Sequence, residues 1–180
     1  PDNYALLSAC VYYVYSIGTG KALATMWGDK NNYYIHKLPL LGSLYPDARF
    51  LFIIRDGRDV ACSYREVNQL HTSSPYKPAL SHDISLIAED WMTNNGKILE
   101  FLSTLKPEEQ HVVKYETLVT EAEDSLVKIC AFLGVEFEYS MLDYYKNNKE
   151  NSIEPLATLD WKKKTLKKPD KQSIGRYRQE

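Results

Sequence analysis

Residues 49–67, RFLFIIRDGRDVACSYREV, constrain the fold of this chain more than any other stretch. An unbroken apolar run, Phe50–Ile54, switches abruptly to Arg55-Asp56-Gly57-Arg58-Asp59 and continues as Val60-Ala61-Cys62-Ser63-Tyr64 with helical spacing. Short apolar runs of this kind suit a parallel strand covered on both faces. The pattern therefore reads as a buried strand, a charged turn and the start of a helix. In sheets of this type ligands lie beyond the carboxyl ends of the strands. Arg55 stands at that end, and Ser63 lies about a turn into the helix, where its hydroxyl can face the same crevice. An arginine fork, free helix N–H groups and a hydroxyl together make an anion site, best suited to a phosphate. The local pattern leaves a second reading open: a self-paired surface turn, with Asp56 as N-cap and Asp59 in the first turn.

The rest of the composition bounds the setting. A length of 180 residues, 44% hydrophobic and 26% charged, fits one packed domain spanning 1–180. A net charge of −2 argues against nucleic acid as a partner of the whole chain. The charge is uneven, however: eight of the 22 Lys and Arg residues fall between Trp161 and Arg178, so residues 147–180 form a polar, lysine-rich segment. The three cysteines, Cys10, Cys62 and Cys130, sit in apolar contexts without a CxxC pair. That usage points to buried structural thiols in a reducing compartment, and the expected location is cytoplasmic. His36, His71, His82 and His111 do not cluster as ligands, so no metal is expected. No run approaches the ~18 apolar residues of a membrane span, and no signal peptide is visible. The chain begins on Pro1 rather than Met, which fits an upstream portion having been removed.

Along the chain, Tyr4, Leu7, Val11 and Val14 mark a helical stripe ending near Gly18 and Gly20. Gly18-Thr19-Gly20-Lys21 is not a Walker loop, because Tyr15 and Ala22 occupy the places that need Gly and Ser or Thr. Helix is expected to resume over 21–27 and to break at Trp27-Gly28-Asp29-Lys30. Pro39 opens a further helix that ends before Pro46. A helix over 59–70 leads to the loop Ser73-Ser74-Pro75-Tyr76-Lys77-Pro78, which is either a ligand cover or a plain connection. Ile84, Ile87, Trp91, Ile98 and Leu102 mark a long amphipathic helix, with Trp91 expected in the core. His111-Val112-Val113-Lys114-Tyr115 reads as a second strand that places Tyr115 at its carboxyl end, like Arg55. Thr120 with Glu123 reads as a capping box. The helix after it buries Leu126, Ile129, Cys130 and Leu133 and stops at Gly134. A further helix is expected over 137–145, and weak order after Asn147-Asn148.

In order, these pieces resemble sulfotransferases that use 3′-phosphoadenosine 5′-phosphosulfate (PAPS). RDGRDVACS resembles their 3′-phosphate motif, an Arg followed eight residues later by Ser. Val113-Lys114-Tyr115-Glu116-Thr117-Leu118 resembles their strand ending in Tyr-Glu-x-Leu, and Phe132-Leu133-Gly134-Val135 their Phe-Leu-Gly turn. Ser173-Ile174-Gly175-Arg176-Tyr177 is similar to the C-terminal Gly-Arg-Trp type segment that closes over the nucleotide. Trp27-Gly28-Asp29-Lys30 places Lys30 25 residues before Arg55, a spacing nearest to protein-tyrosine and related bacterial sulfotransferases. The resemblance covers roughly residues 25–180. It departs from the family in two places. No Pro-Lys/Arg-Ser-Gly-Thr-Thr loop for the 5′-phosphosulfate is found, which implies an N-terminally truncated or a divergent domain. Val67 also stands where some relatives carry a second Arg.

The resemblance implies a three-layer α/β fold, with a central parallel sheet flanked by helices, of the P-loop-NTPase-like sulfotransferase type. Its first strand and loop are expected to be missing. It implies in-line transfer of a sulfuryl group from PAPS to a hydroxyl or amine, leaving PAP, without a metal. Arg55 and Ser63 are then expected at the 3′-phosphate, Tyr115 at the adenine–ribose, and Arg176 at a nucleotide phosphate. Lys30 is expected at the bridging oxygen, where charge develops in the transition state. The base stays open, with His36 a weak candidate. The acceptor, a small molecule, glycan or peptide, is not specified. The alternatives are a non-catalytic PAP-binding module and an interaction domain whose basic tail holds an anionic partner.

Overall fold

Two strands, β1 (Phe50–Ile54) and β2 (Gln110–Lys114), pair in parallel with Phe50 opposite Gln110 and Ile54 opposite Lys114. This is a computed structural model that describes residues 2–21, 26–150 and 155–179. Parallel pairing requires a long crossover. Here it contains α3 (Gly57–Gln69) and α4 (Ile84–Ser103). The chain opens with α1 (Asp2–Gly18) and α2 (Leu38–Leu44). After β2 come α5 (Tyr115–Thr120), α6 (Ala122–Leu133), α7 (Tyr144–Glu150) and α8 (Leu159–Lys162). The fold is α/β, with helices on both faces of a small parallel sheet. Because the strands are in register, the residues that follow them, Arg55 and Tyr115, emerge side by side.

Side-chain alternation assigns the layers. Phe50 packs edge-on against Phe101 of α4 at 5.0 Å, and Gln110 Nε2 donates to Leu102 O at 2.6 Å. On the other face His111 stacks on Phe132 of α6 at 5.3 Å, and Val113 is buried. Cys62, Ile87, Leu102, Val113, Ile129 and Cys130 form the buried apolar core, so it sits between the sheet and helices α3, α4 and α6. The expectation of a β1 covered on both faces holds on one face only. Leu51 and Ile53 remain 39% and 47% exposed, because α6 lies over the β2 half of that side.

The element boundaries follow local chemistry. Asp56 caps α3 by accepting the Arg58 N–H at 2.9 Å, so the helix starts at Gly57 rather than 59. Asp83 caps α4 in the same way, accepting from Ser85 and Leu86. Lys77, in the 73–78 loop, donates Nζ to Asn68 O and Leu70 O at 3.1 and 2.7 Å. That loop therefore caps the C-terminal end of α3, where a cation meets otherwise unpaired carbonyls. Gly134 ends α6 at φ 70°, the left-handed conformation that favours glycine, and the Val135 N–H returns to Cys130 O.

Several expectations meet a different structure. The Thr120–Glu123 capping box does not form: Thr120 is the last residue of α5, and its hydroxyl donates back to Glu116 O at 3.0 Å. Back-bonding to the preceding turn satisfies a hydroxyl as well as capping does. The helix expected over 137–145 is a 3-10 turn, Tyr139–Asp143, running into α7. In α1 the apolar stripe of Tyr4, Leu7, Val11 and Val14 is exposed, while Ala5, Ser8, Ala9 and Tyr12 lie on the less exposed face. Cys10 is accordingly exposed, whereas Cys62 and Cys130 are buried. The helix expected over 21–27 lies partly outside the described residues, and 26–30 is irregular.

Candidate functional site

The carboxyl ends of the two strands converge on one constellation. Arg55 leaves β1 and turns inward. Its Nη1 donates to Ser63 Oγ at 3.0 Å, eight residues on in α3, and its Nη2 donates to Ser173 O at 2.8 Å. The guanidinium carbon lies 4.6 Å from the centre of the Tyr115 ring, which follows β2. Tyr115 Oη and Ser173 Oγ are 3.0 Å apart. Arg55 Nε is buried and finds no hydrogen-bond partner among the described residues. A buried cationic donor left unpaired is costly, and native structures keep few of them.

The loop around Arg55 is fixed from three sides. Trp91 Nε1 donates to Arg55 O at 3.0 Å, and its ring covers Gly57 so closely that a Cβ there would sit 3.0 Å from it. Glu116, just after β2, accepts the Asp56 N–H at 2.9 Å and so ties the two strand ends together. Ser63 donates to Asp59 O at 3.0 Å, which orients its oxygen toward Arg55. Trp91, expected in the core, is half-buried and spans α4 and the turn.

The self-paired turn expected at RDGRD is formed by Arg58 and Asp56. Arg58 forms a two-point pair with Asp56, Nε to Oδ1 at 3.0 Å and Nη2 to Oδ2 at 2.7 Å, on the exposed side of the turn. The hydrogen bond from Arg58 is the largest influence on Asp56 and holds its carboxyl below the usual range, against the opposing effect of burial. Arg55 is left to face inward.

The C-terminal segment docks on this site. Along α3, Asp59, Ser63 and Glu66 share one face at helical spacing. Gly175 N–H donates to Asp59 Oδ2 at 2.7 Å, and Tyr177 N–H reaches Asp59 Oδ1 at 3.4 Å. Arg176 Nη1 pairs with Glu66 Oε2 at 2.8 Å, and Lys164 Nζ meets the same oxygen at 2.6 Å. Burial acts most strongly on Glu66 and pushes its carboxyl up, but Lys164 and Arg176 together outweigh it and hold it below the usual range.

Arg55, Ser63 and Tyr115 are therefore brought together, and the segment bearing Arg176 lies against them, though the Arg176 guanidinium is engaged by Glu66. Lys30 stands apart. It is exposed, on an irregular stretch whose backbone is pinned by Asp29, which accepts from Lys30 N at 2.7 Å and from the Tyr34 hydroxyl. That hydrogen bond is the main reason the Tyr34 hydroxyl is pushed up to about 12. Among the described residues, no hydrogen bond or ion pair of the Lys30 side chain to the Arg55 constellation is seen. His36 ends the 3-10 turn Asn32–His36 and is exposed. Sequence reasoning missed the positioning parts played by Asp59, Glu66 and Glu116. The 59, 63, 66 spacing of polar residues on the inward face of a helix was the available signal for the first two.

Comparison with known proteins places the chain in a family. Residues 4–139 match the family model described as "Sulfotransferase family". The chain belongs to the sulfotransferase family. A Caenorhabditis briggsae protein named for protein-tyrosine sulfotransferase activity is 26% identical over 154 residues, covering 77% of this chain and 53% of that protein. A solved sulfotransferase domain from the curacin biosynthetic pathway is 26% identical, with a TM-score of 0.53, covering 72% of this chain and 46% of its own. The chain thus spans about half the length of these relatives. Among the described residues, no helix is long and apolar enough to cross a membrane, and no cluster of His, Cys, Asp or Glu is placed to hold a metal ion.

Proposed function

We propose that this chain carries the 3′-phosphate half of a PAPS site and that the protein transfers a sulfuryl group from PAPS to an acceptor. The observation that carries the proposal is Arg55. Its guanidinium is held between Ser63 and Tyr115 at the strand ends, with Nε buried and unpartnered among the described residues. A phosphate oxygen satisfies such a donor, and a planar guanidinium fork suits a phosphate dianion.

In this reading Arg55 and Ser63 bind the 3′-phosphate, and Tyr115 contacts the adenine–ribose. The 173–177 segment excludes water from them, with Arg176 available to a nucleotide phosphate once it leaves Glu66. PAPS, when bound, supplies an activated sulfuryl group for in-line displacement. The protein's contribution is then positioning and charge stabilisation rather than covalent chemistry. Lys30 is assigned to charge developing on the leaving nucleotide, on its family spacing. The name of the Caenorhabditis briggsae relative favours a tyrosine hydroxyl as acceptor. The basic-tail alternative is less supported, because Lys164 and Arg176 are used internally on Glu66.

Calorimetric titration with PAP tests the nucleotide assignment. Arg55→Ala is expected to weaken PAP binding by about 2–3 kcal/mol, the loss of charge-assisted contacts to a phosphate. Unchanged affinity in a folded variant rejects it.

A further inference from the structure

Asp59 is the most deeply buried polar side chain among the described residues, at 1% exposure, and nothing in anion binding calls for it. A carboxylate one helical turn from Ser63 repels any anion held there. Yet both of its oxygens face backbone N–H groups of the C-terminal segment, those of Gly175 and Tyr177, 116 and 118 residues away. Gly175 adopts the left-handed conformation, φ 71° and ψ 20°, the one that favours glycine there. A left-handed residue beside helical ones makes an anion-binding concavity of successive N–H groups. Asp59 fills it. Asp59 lies in the first turn of α3, so it is anchored on a helix that follows directly from the Arg55 turn.

We propose that Asp59 is a positioning residue: a latch that holds residues 173–177 over Arg55 and Ser63 and so governs how fast nucleotide leaves. This rests on reading the Arg55–Ser63–Tyr115 constellation as the nucleotide site. The latch sets the placement of Ser173, whose carbonyl accepts from Arg55 and whose hydroxyl meets Tyr115. The ties made by the Arg176 and Tyr177 side chains are weaker in kind. Glu66–Arg176 involves a carboxylate that is 41% exposed and shared with Lys164, and Arg58 stacks on Tyr177 at 3.8 Å on the surface side. Exposed pairs contribute little, whereas hydrogen bonds to a buried carboxylate are among the stronger ones.

The sign of the effect separates a latch from a mere charge. Removing a negative charge near an anion site tightens anion binding if charge alone matters. Removing a latch weakens it. Asp59→Asn keeps the shape but turns one acceptor into a donor facing an N–H. Gly175→Ala acts from the other side, straining the left-handed turn without altering α3. Both are to be measured by stopped-flow release of PAP and by hydrogen exchange at the amides of 174–178, with and without PAP. The latch predicts that both variants release PAP roughly tenfold faster or more and lose protection at those amides even in the free protein. PAP bound as tightly as by wild type, or more tightly, in Asp59→Asn overturns it. So does wild-type protection of the segment in both variants. Failure of the nucleotide reading looks different: wild-type protein then takes up no PAP, and the coupling to release falls with it even where the segment is freed.

Discussion

Arg55 shows how one side chain is assigned by what surrounds it. The turn RDGRD holds two arginines and two aspartates, and pattern alone does not say which pair is solvated. In the structure Asp56 takes Arg58, Asp59 takes the C-terminal segment, and Arg55 is left with an inward fork and a buried Nε unpaired among the described residues. Ser63 and Tyr115 were legible because eight-residue spacing and a strand end fix where they point. The partner of Arg176 was not, since Glu66 is 110 residues away and no local period links them. Lys30 rests on spacing to Arg55. Lys30→Ala is expected to cut sulfuryl transfer by ~10²-fold or more, as for loss of one transition-state donor, with PAP affinity nearly intact. Steady-state turnover beside PAP calorimetry checks this, and a full-rate variant removes Lys30 from the mechanism.

At the scale of elements, β1, α3, α4, β2 and α6 were readable because each has a strong hydrophobic period and a chemical stop. Asp56 caps α3, Asp83 caps α4, and Gly134 ends α6. The weaker signals failed where two local hydrogen-bonding solutions compete. Thr120 can cap the next helix or bond back into its own, and the structure takes the second. The tight contact between α4 and the β1–α3 turn carries its own test. Gly57→Ala puts a methyl 3.0 Å from the Trp91 ring, so the indole must shift and its bond to Arg55 O must lengthen. Overpacking of this kind is expected to destabilise the fold by about 1–3 kcal/mol. A lowered urea midpoint with altered Trp emission is the expected outcome, while an unchanged midpoint means that the turn is looser than its geometry.

For the whole molecule, the accessible surface of 13275 Å² is well above the roughly 9,000 Å² expected of a compact monomer of this mass. The exposed apolar stripe of α1 and the open β1 face at Leu51 and Ile53 contribute a part of that excess. The site joins segments far apart in sequence, 55–66, 115–116 and 173–177, which is why the docking of the last was illegible from local patterns. Glu66 makes that docking sensitive to acid. Its carboxyl lies below the usual range in the folded protein, so its stabilisation is present above the ordinary glutamate pKa and is lost as pH falls through the lower folded value. The stability difference between wild type and Glu66→Gln, from urea unfolding, should be constant near neutrality and shrink in acid. A difference that does not change with pH rejects the Glu66 tie. The central claim is that Arg55 reads a 3′-phosphate, and its most direct test compares PAP with 5′-AMP, which lacks that group, in wild type and in Arg55→Ala. Wild type should prefer PAP strongly, and the preference should collapse in the variant. Equal affinity for the two nucleotides in wild type, or an undiminished preference in Arg55→Ala, contradicts it.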